Sequence, residues 1–291
     1  MKSMLFILLV LCYSLPASAN DGAYYGSGNQ LIPIAETNIS VTKEVLRLKK
    51  MGDFVEVSVY YEFENPSEAK TLLVGFEAMR PSGDLKTVGD NASEHPYMRN
   101  FSVKMNGKPL SYQVAHVADT LYEQQGSIRQ MDLATYERAL NEEYADFFYV
   151  YHFNAPFKKG KNVIEHCYKF DLSSGVVDRY FFEYVLTAAK RWANKQIDDF
   201  TLEVDMGDFE EFYIIKSFFD KATDWQLDGK GVIKNVPASG DFIINKAALK
   251  FYIQNGKLVF KKRNFKPRGE LYLESINYFM EELARGESQV Y

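Results

Sequence analysis

Cysteine and tryptophan are scarce in this chain: Cys12 and Cys167 are its only cysteines, Trp192 and Trp225 its only tryptophans. Cys12 lies inside an apolar N-terminal run, so a chain that loses that run keeps one thiol and forms no internal disulfide. Cys167 then reads as a small apolar residue in a strand. Histidine is sparse too. His95, His116, His152 and His166 show no HxH or HExxH spacing, and there is no Cys-x-x-Cys pair, so no metal and no other cofactor is expected. His152 and His166 fall on successive strands that read as pairing around the turn near residues 158–161, with the two rings on opposite faces. Basic charge is in deficit, and a net charge of -5 argues against nucleic acid as a partner.

Catalytic patterns are missing as well. Gly26-Ser27-Gly28 sets its glycines next to the serine, whereas a nucleophile elbow needs them two residues away. No phosphate-cradling glycine loop is present. Asp224, Asp228 and Gly229 partly fit a calcium loop, but Gln226 and Asn235 stand where carboxylate ligands belong, and an Asp-Gly hairpin explains the stretch. Adjacent acids at Glu142-Glu143, Asp198-Asp199 and Glu210-Glu211 read as solvated surface, since a hydrolase needs a carboxylate pair assembled in space. No catalytic residue is assigned.

There is one long apolar run, Met4 to Leu15, preceded by Lys2 and followed by Ala17-Ser18-Ala19. This is the layout of a secretory leader, residues 1–19, cleaved after Ala19. The run is shorter than the roughly 20 residues that span a bilayer. The expectation is an exported protein, periplasmic or extracellular, with no transmembrane anchor in the mature chain.

What the chain has in quantity is Phe and Tyr, 22 and 20 residues, set in alternating patterns. Val55, Val57, Val59, Tyr61 and Phe63 point one way while Glu56, Ser58, Tyr60, Glu62 and Glu64 point the other, as a strand with one buried face requires. The same period returns at Leu72–Ala78, Phe101–Met105, Phe200–Met206 and Leu249–Ile253. Asn106-Gly107, Asp228-Gly229 and Asn255-Gly256 read as hairpin turns. Residues 132–146 break the pattern: Leu133, Tyr136, Leu140 and Tyr144 take helical spacing, with Asp132 as N-cap. The basic stretch from Lys257 to Arg268 reads as a lysine-guarded edge strand, with an anionic-ligand patch as the other reading.

The expected fold is all-β: two packed antiparallel β-sandwich-like domains with an inserted helix near 132–146. The N-terminal domain covers 20–172 and the C-terminal domain 173–275, divided at Ser173-Ser174-Gly175, with a short helical or frayed tail at 276–291.

Particular residues resemble those of a known group. They include Asn20-Asp21-Gly22-Ala23, Gly28 to Pro33, the Val55–Asn65 strand ending in Asn-Pro, Asn100-Phe101, Asn106-Gly107-Lys108-Pro109 and Phe153 to Tyr168. Tyr184 to Thr187, Trp192 and Phe200–Asp205 also fit. The chain resembles a secreted bacterial domain-of-unknown-function family often found N-terminal to YARHG domains. Leu283-Ala284-Arg285-Gly286 lacks the histidine of a YARHG module, so that module is not seen here. The resemblance implies an exported all-β protein and supplies no catalytic residues. The function expected is a non-catalytic binding or structural module of the envelope, its partner an unidentified envelope protein or glycan. One alternative is a carbohydrate-binding module with Trp192 and Trp225 as stacking platforms, although both also suit a core. The second is a glycan hydrolase.

Overall fold

The computed structural model describes residues 23–24, 32–33, 37–80, 82–83, 94–118, 128–141, 147–238 and 246–277. The first part of the chain supplies β1 (Ala23–Tyr24), β2 (Ile32–Pro33), β3 (Ser40–Met51), β4 (Phe54–Asn65), β5 (Lys70–Met79), β6 (Ser82–Gly83), β7 (Met98–Met105), β8 (Lys108–Leu110) and β9 (Gln113–Val117). The one α-helix among the described residues, α1 (Leu133–Asn141), precedes β10 (Phe148–Phe157) and β11 (Gly160–Asp171). There follow β12 (Asp178–Tyr184), β13 (Ile197–Asp205), β14 (Glu210–Ile215), β15 (Trp225–Val236), β16 (Ala248–Phe265) and β17 (Leu271–Ile276). The all-β class with one helix is as expected.

Most strands join one 11-stranded sheet, ordered β12-β17-β14-β16-β13-β3-β4-β11-β7-β8, with β15 on the other side of β16. A second sheet, β2-β5-β10-β9, has four strands. Among the described residues all the strand pairs are antiparallel except one: β3 runs parallel to β13, which carries the large sheet across the Ser173-Ser174-Gly175 segment without a break. Apolar alternation decides which face is buried. In β4 the side chains of Val55, Val57, Val59, Tyr61 and Phe63 enter the core while the intervening residues face outward.

The small sheet covers one end of that inner face, through aromatic contacts such as Phe76 to Tyr168 at 5.1 Å and Phe101 to Tyr151 at 4.9 Å between ring centroids. At the other end, β14, β17 and β12 fold back over it. Lys50 of β3 donates to Glu210 of β14 at 2.9 Å, and Glu210 also binds Arg179 and the Tyr180 hydroxyl of β12. Glu210 is therefore a tie between two layers of the folded sheet and not a free surface acid.

The fold-back turns on a corner in β15 and β16. Asp228-Gly229 and Asn255-Gly256 are not hairpin turns, contrary to the sequence reading. They lie opposite each other inside two long strands, with Gly229 paired to Gly256. Their glycines serve a close backbone approach at a bend, where a Cβ on Gly256 would stand 2.1 Å from the Asp228 carbonyl oxygen. Asn106-Gly107 does form a tight turn, between β7 and β8, with φ of 50° and 79°.

The helix covers Leu133–Asn141, with 142–146 outside the described residues. Asp132 caps it, its Oδ1 accepting from the Thr135 amide at 2.9 Å. Tyr136 and Ala139 are buried, and Tyr136 stacks on His116 at 3.9 Å, while Leu133 is exposed. In the tail, Leu271 and Leu273 belong to β17, and residues 278–291 lie outside the described set.

Candidate functional site

The outward face of the large sheet carries rows of side chains set by strand register. One row is made of small residues: Ser102 on β7 faces Cys167 on β11, which faces Ser58 on β4, and Arg47 on β3 follows. The neighbouring row is long, with Lys104, Glu165 and Tyr60 in register. On the far side Lys169, Glu56 and Lys49 form a second long row. The short side chains beside the Lys104–Glu165–Tyr60 row leave a trough across the strands, of about 250 Å³, lined by Arg47, Ser58, Tyr60, Ser102, Lys104, Glu165 and Cys167.

Charge is arranged at both ends of the trough. Arg47 closes one, with Nε 3.5 Å from Glu203 on β13, and Lys257 of β16 reaches the same carboxylate oxygen at 2.9 Å. Lys104 on β7 stands at the other, with Glu165 beside it on β11. Along the wall, the Tyr60 hydroxyl donates to Glu62 at 2.8 Å, and that hydrogen bond with partial burial pushes its pKa up to about 12. A hydrogen bond from Lys161 in turn holds Glu62 below the usual carboxylate range. Burial, helped by the charge of Glu56, pushes the Cys167 thiol up, so it stays protonated at neutral pH and is a poor nucleophile. The trough offers guanidinium, ammonium, hydroxyl and carboxylate groups around a neutral floor, which suits hydrogen bonding to a polar partner.

The residues singled out from sequence fall elsewhere. Trp192 is 1% exposed and Trp225 5% exposed. Trp192 packs on Phe63 at 4.5 Å between centroids, and Trp225 on Phe260 at 5.2 Å. Neither presents a ring face to solvent, so the structure places both in the core reading and not on a sugar platform. His152 and His166 do not lie on paired strands, because β10 belongs to the small sheet and β11 to the large one. The chain crosses between layers at residues 158–159, where a hairpin was expected. His152 is half-buried on the outer side of its sheet, whereas His166 sits in the aromatic core against Tyr61 and Phe76, with neither ring nitrogen hydrogen-bonded. Among the described residues no group of three or more His, Cys, Asp or Glu is placed to hold a metal ion.

Asp198 accepts from Asn194 and Gln196, and Glu211 binds Lys250 at 2.6 Å. Glu142, Glu143 and Gly26-Ser27-Gly28 lie outside the described residues. The Lys257–Arg268 stretch is a true edge only from Lys261 to Phe265, where β16 runs past the start of β15. Three of its cations are paired, Lys257 with Glu203, Lys262 with Asp224 and Arg268 with Asp220. No sequence motif marked the trough. Alternation shows that Ser58 and Cys167 face outward, but the strand order that makes them neighbours is not written in either strand.

Fold and trough together define an all-β protein with a polar depression on a sheet face. Among the described residues no helix is long and apolar enough to cross a membrane. No protein-family profile matches the chain, and no curated protein matches it. Among solved structures, it is similar to a Legionella pneumophila protein provisionally named a nutrient binding protein. That match has a TM-score of 0.52 at 18% identity, covering 88% of this chain and 72% of the other. At that identity the likeness shows the fold alone. A second match, baculovirus P35, has a TM-score of 0.31 at 13% identity, covering 85% of this chain and 99% of that one.

Proposed function

We propose that this chain is an exported, non-catalytic binding protein of the bacterial envelope, of the secreted family its motifs resemble. Its partner, an envelope protein or glycan, would place a polar group in the trough of the large sheet. The observation that carries this reading is the trough itself: a neutral floor of Ser102, Cys167 and Ser58 beside a wall of Lys104, Glu165 and Tyr60, with Arg47 at one end. A partner hydroxyl or carboxylate entering it meets donors that need little rearrangement, since Arg47 is already oriented by Glu203. The binding role of the Legionella protein, as its name gives it, agrees with this reading, and the leader at 1–19 supports export.

The test is capture from a solubilised envelope extract with the wild-type protein and with Ser58→Trp as bait, alongside calorimetry with envelope polysaccharides. Ser58 is partly exposed on the outer face, so an indole there fills the trough without entering the core. A reproducible protein partner, or a polysaccharide heat signal, that the variant loses is the expected result. Repeated failure to recover either, or binding that Ser58→Trp leaves intact, sinks the proposal. N-terminal sequencing of the exported protein should begin at Asn20, and an intact N-terminus would remove the export part of it.

A further inference from the structure

Among the described residues the large sheet ends at β8, at β12 and along β15, and β15 is the longest open border. β8 is three residues long, and the β12 border is bridged by Ser173 to Phe181. The third border is β15, 12 residues that pair with β16 on one side. Among the described residues, no strand and no backbone hydrogen bond meets its other side. Unpaired edges of that length present a row of free amide and carbonyl groups and are usually blunted or covered.

β15 also keeps a regular alternation through the corner. The register passes from Lys230–Asn255 to Gly231–Ile253, so the extra residue, Gln254, belongs to β16. Gln226, Asp228, Lys230, Val232, Lys234 and Val236 therefore share the outer face of β15, and the first five are exposed.

We infer that β15 is a self-association edge, pairing antiparallel with β15 of a second copy about a two-fold axis at Gly231. In such an isologous pair, residues at equal distances on either side of the axis face each other. With the axis at Gly231, Asp228 of each copy faces Lys234 of the other, giving two opposite-charge pairs, and Lys230 faces Val232. An axis at Lys230 sets that lysine against its own copy, and an axis at Val232 sets Lys230 against Lys234. An axis between residues opposes outer positions to inner ones and breaks the face match. An axis at Gly229 also opposes unlike charges, Asp228 to Lys230, but overlaps the two strands only over residues 225–233, against 226–236 about Gly231, so charge and overlap together favour the Gly231 register. Main-chain hydrogen bonds along the open edge supply the affinity, as in strand addition generally.

Sedimentation equilibrium of the purified full-length export product tests this. The wild type should dimerise reversibly. Asp228→Lys and Lys234→Asp should each weaken the dimer by about tenfold, because each turns two attractive pairs into repulsive ones. The double variant restores both pairs with reversed sign and should return to near the wild-type dissociation constant. Both side chains are exposed, so the variants should keep the wild-type circular dichroism and melting temperature. A monomer at every concentration overturns the inference, as does a dimer that the single swaps leave unchanged or that the double swap does not rescue. The trough plays no part in this edge, and capture by Ser58→Trp reports on it separately.

Discussion

Gly229 and Gly256 face each other across the β15–β16 ladder so closely that neither has room for a side chain. A Cβ on Gly229 would lie 2.2 Å from the Asn255 carbonyl oxygen and 2.8 Å from the Gly256 Cα. Both glycines also have positive φ, 145° and 97°. Gly256→Ala should therefore lower stability by about 3 kcal/mol, seen as a drop in melting temperature of roughly 5–10 °C. Gly52→Ala is the control: φ is 69° but nothing lies within 4 Å, so about 1 kcal/mol is expected. Equal losses at the two positions would show that the corner is not sterically closed.

His166 gives the protein an acid-sensitive core. Burial among aromatic rings holds its pKa down to about 3, against 6.5 for a free histidine. Above pH 6.5 both folded and unfolded states carry the neutral ring. As pH falls below that, the unfolded chain takes up a proton that the folded one refuses, so stability drops by up to about 1.4 kcal/mol per pH unit toward pH 3. Urea unfolding midpoints from pH 7 to pH 4 should show this fall, and His166→Leu should flatten it. An unchanged acid limb in the variant would remove His166 as its cause.

Glu274 acts with the opposite sign. Burial, with the nearby charge of Asp178, raises its pKa to about 7 from 4.5, and Lys246 offsets only part of this. Between pH 4.5 and 7 the folded state holds a proton that the unfolded state has released. Its contribution is thus full below pH 4.5 and lost as pH rises through 7. Glu274→Gln should stabilise the protein at pH 8 by up to about 2 kcal/mol and change little at pH 4. Chemical denaturation at those two pH values checks the sign.

Cys167 is half-buried on the trough floor with its pKa raised, so it should react slowly with a disulfide reagent in the native state. In a chain that begins at Asn20, where Cys167 is the one thiol, denaturation should release one fast-reacting thiol. A bound partner in the trough should slow the native rate further, which makes this thiol a reporter of occupancy. A native rate equal to the denatured one would contradict the burial.

The legibility of these features differs for physical reasons. The core face of β4 could be read directly, because alternation is a local property of twelve consecutive residues. Asp132 as a cap was equally local. Asp228-Gly229 and Asn255-Gly256 carried the composition of hairpin turns, but glycine reports only the need for unusual backbone or close approach. Which of the two applies depends on a partner strand some 30 residues away. Glu210 gave no signal that its carboxylate would join Lys50 to Arg179, and the trough depends on four strands meeting in one order. Local patterns were visible in the chain; juxtapositions of distant segments were not.

The single parallel pair in the sheet bears on when the protein can fold. Asn194 is hydrogen-bonded to Val41 across 153 positions of sequence, and the β3–β13 ladder continues from that point. The large sheet stays unfinished until the chain beyond residue 205 is available, and its closure bears the slow search that distant strand pairing imposes.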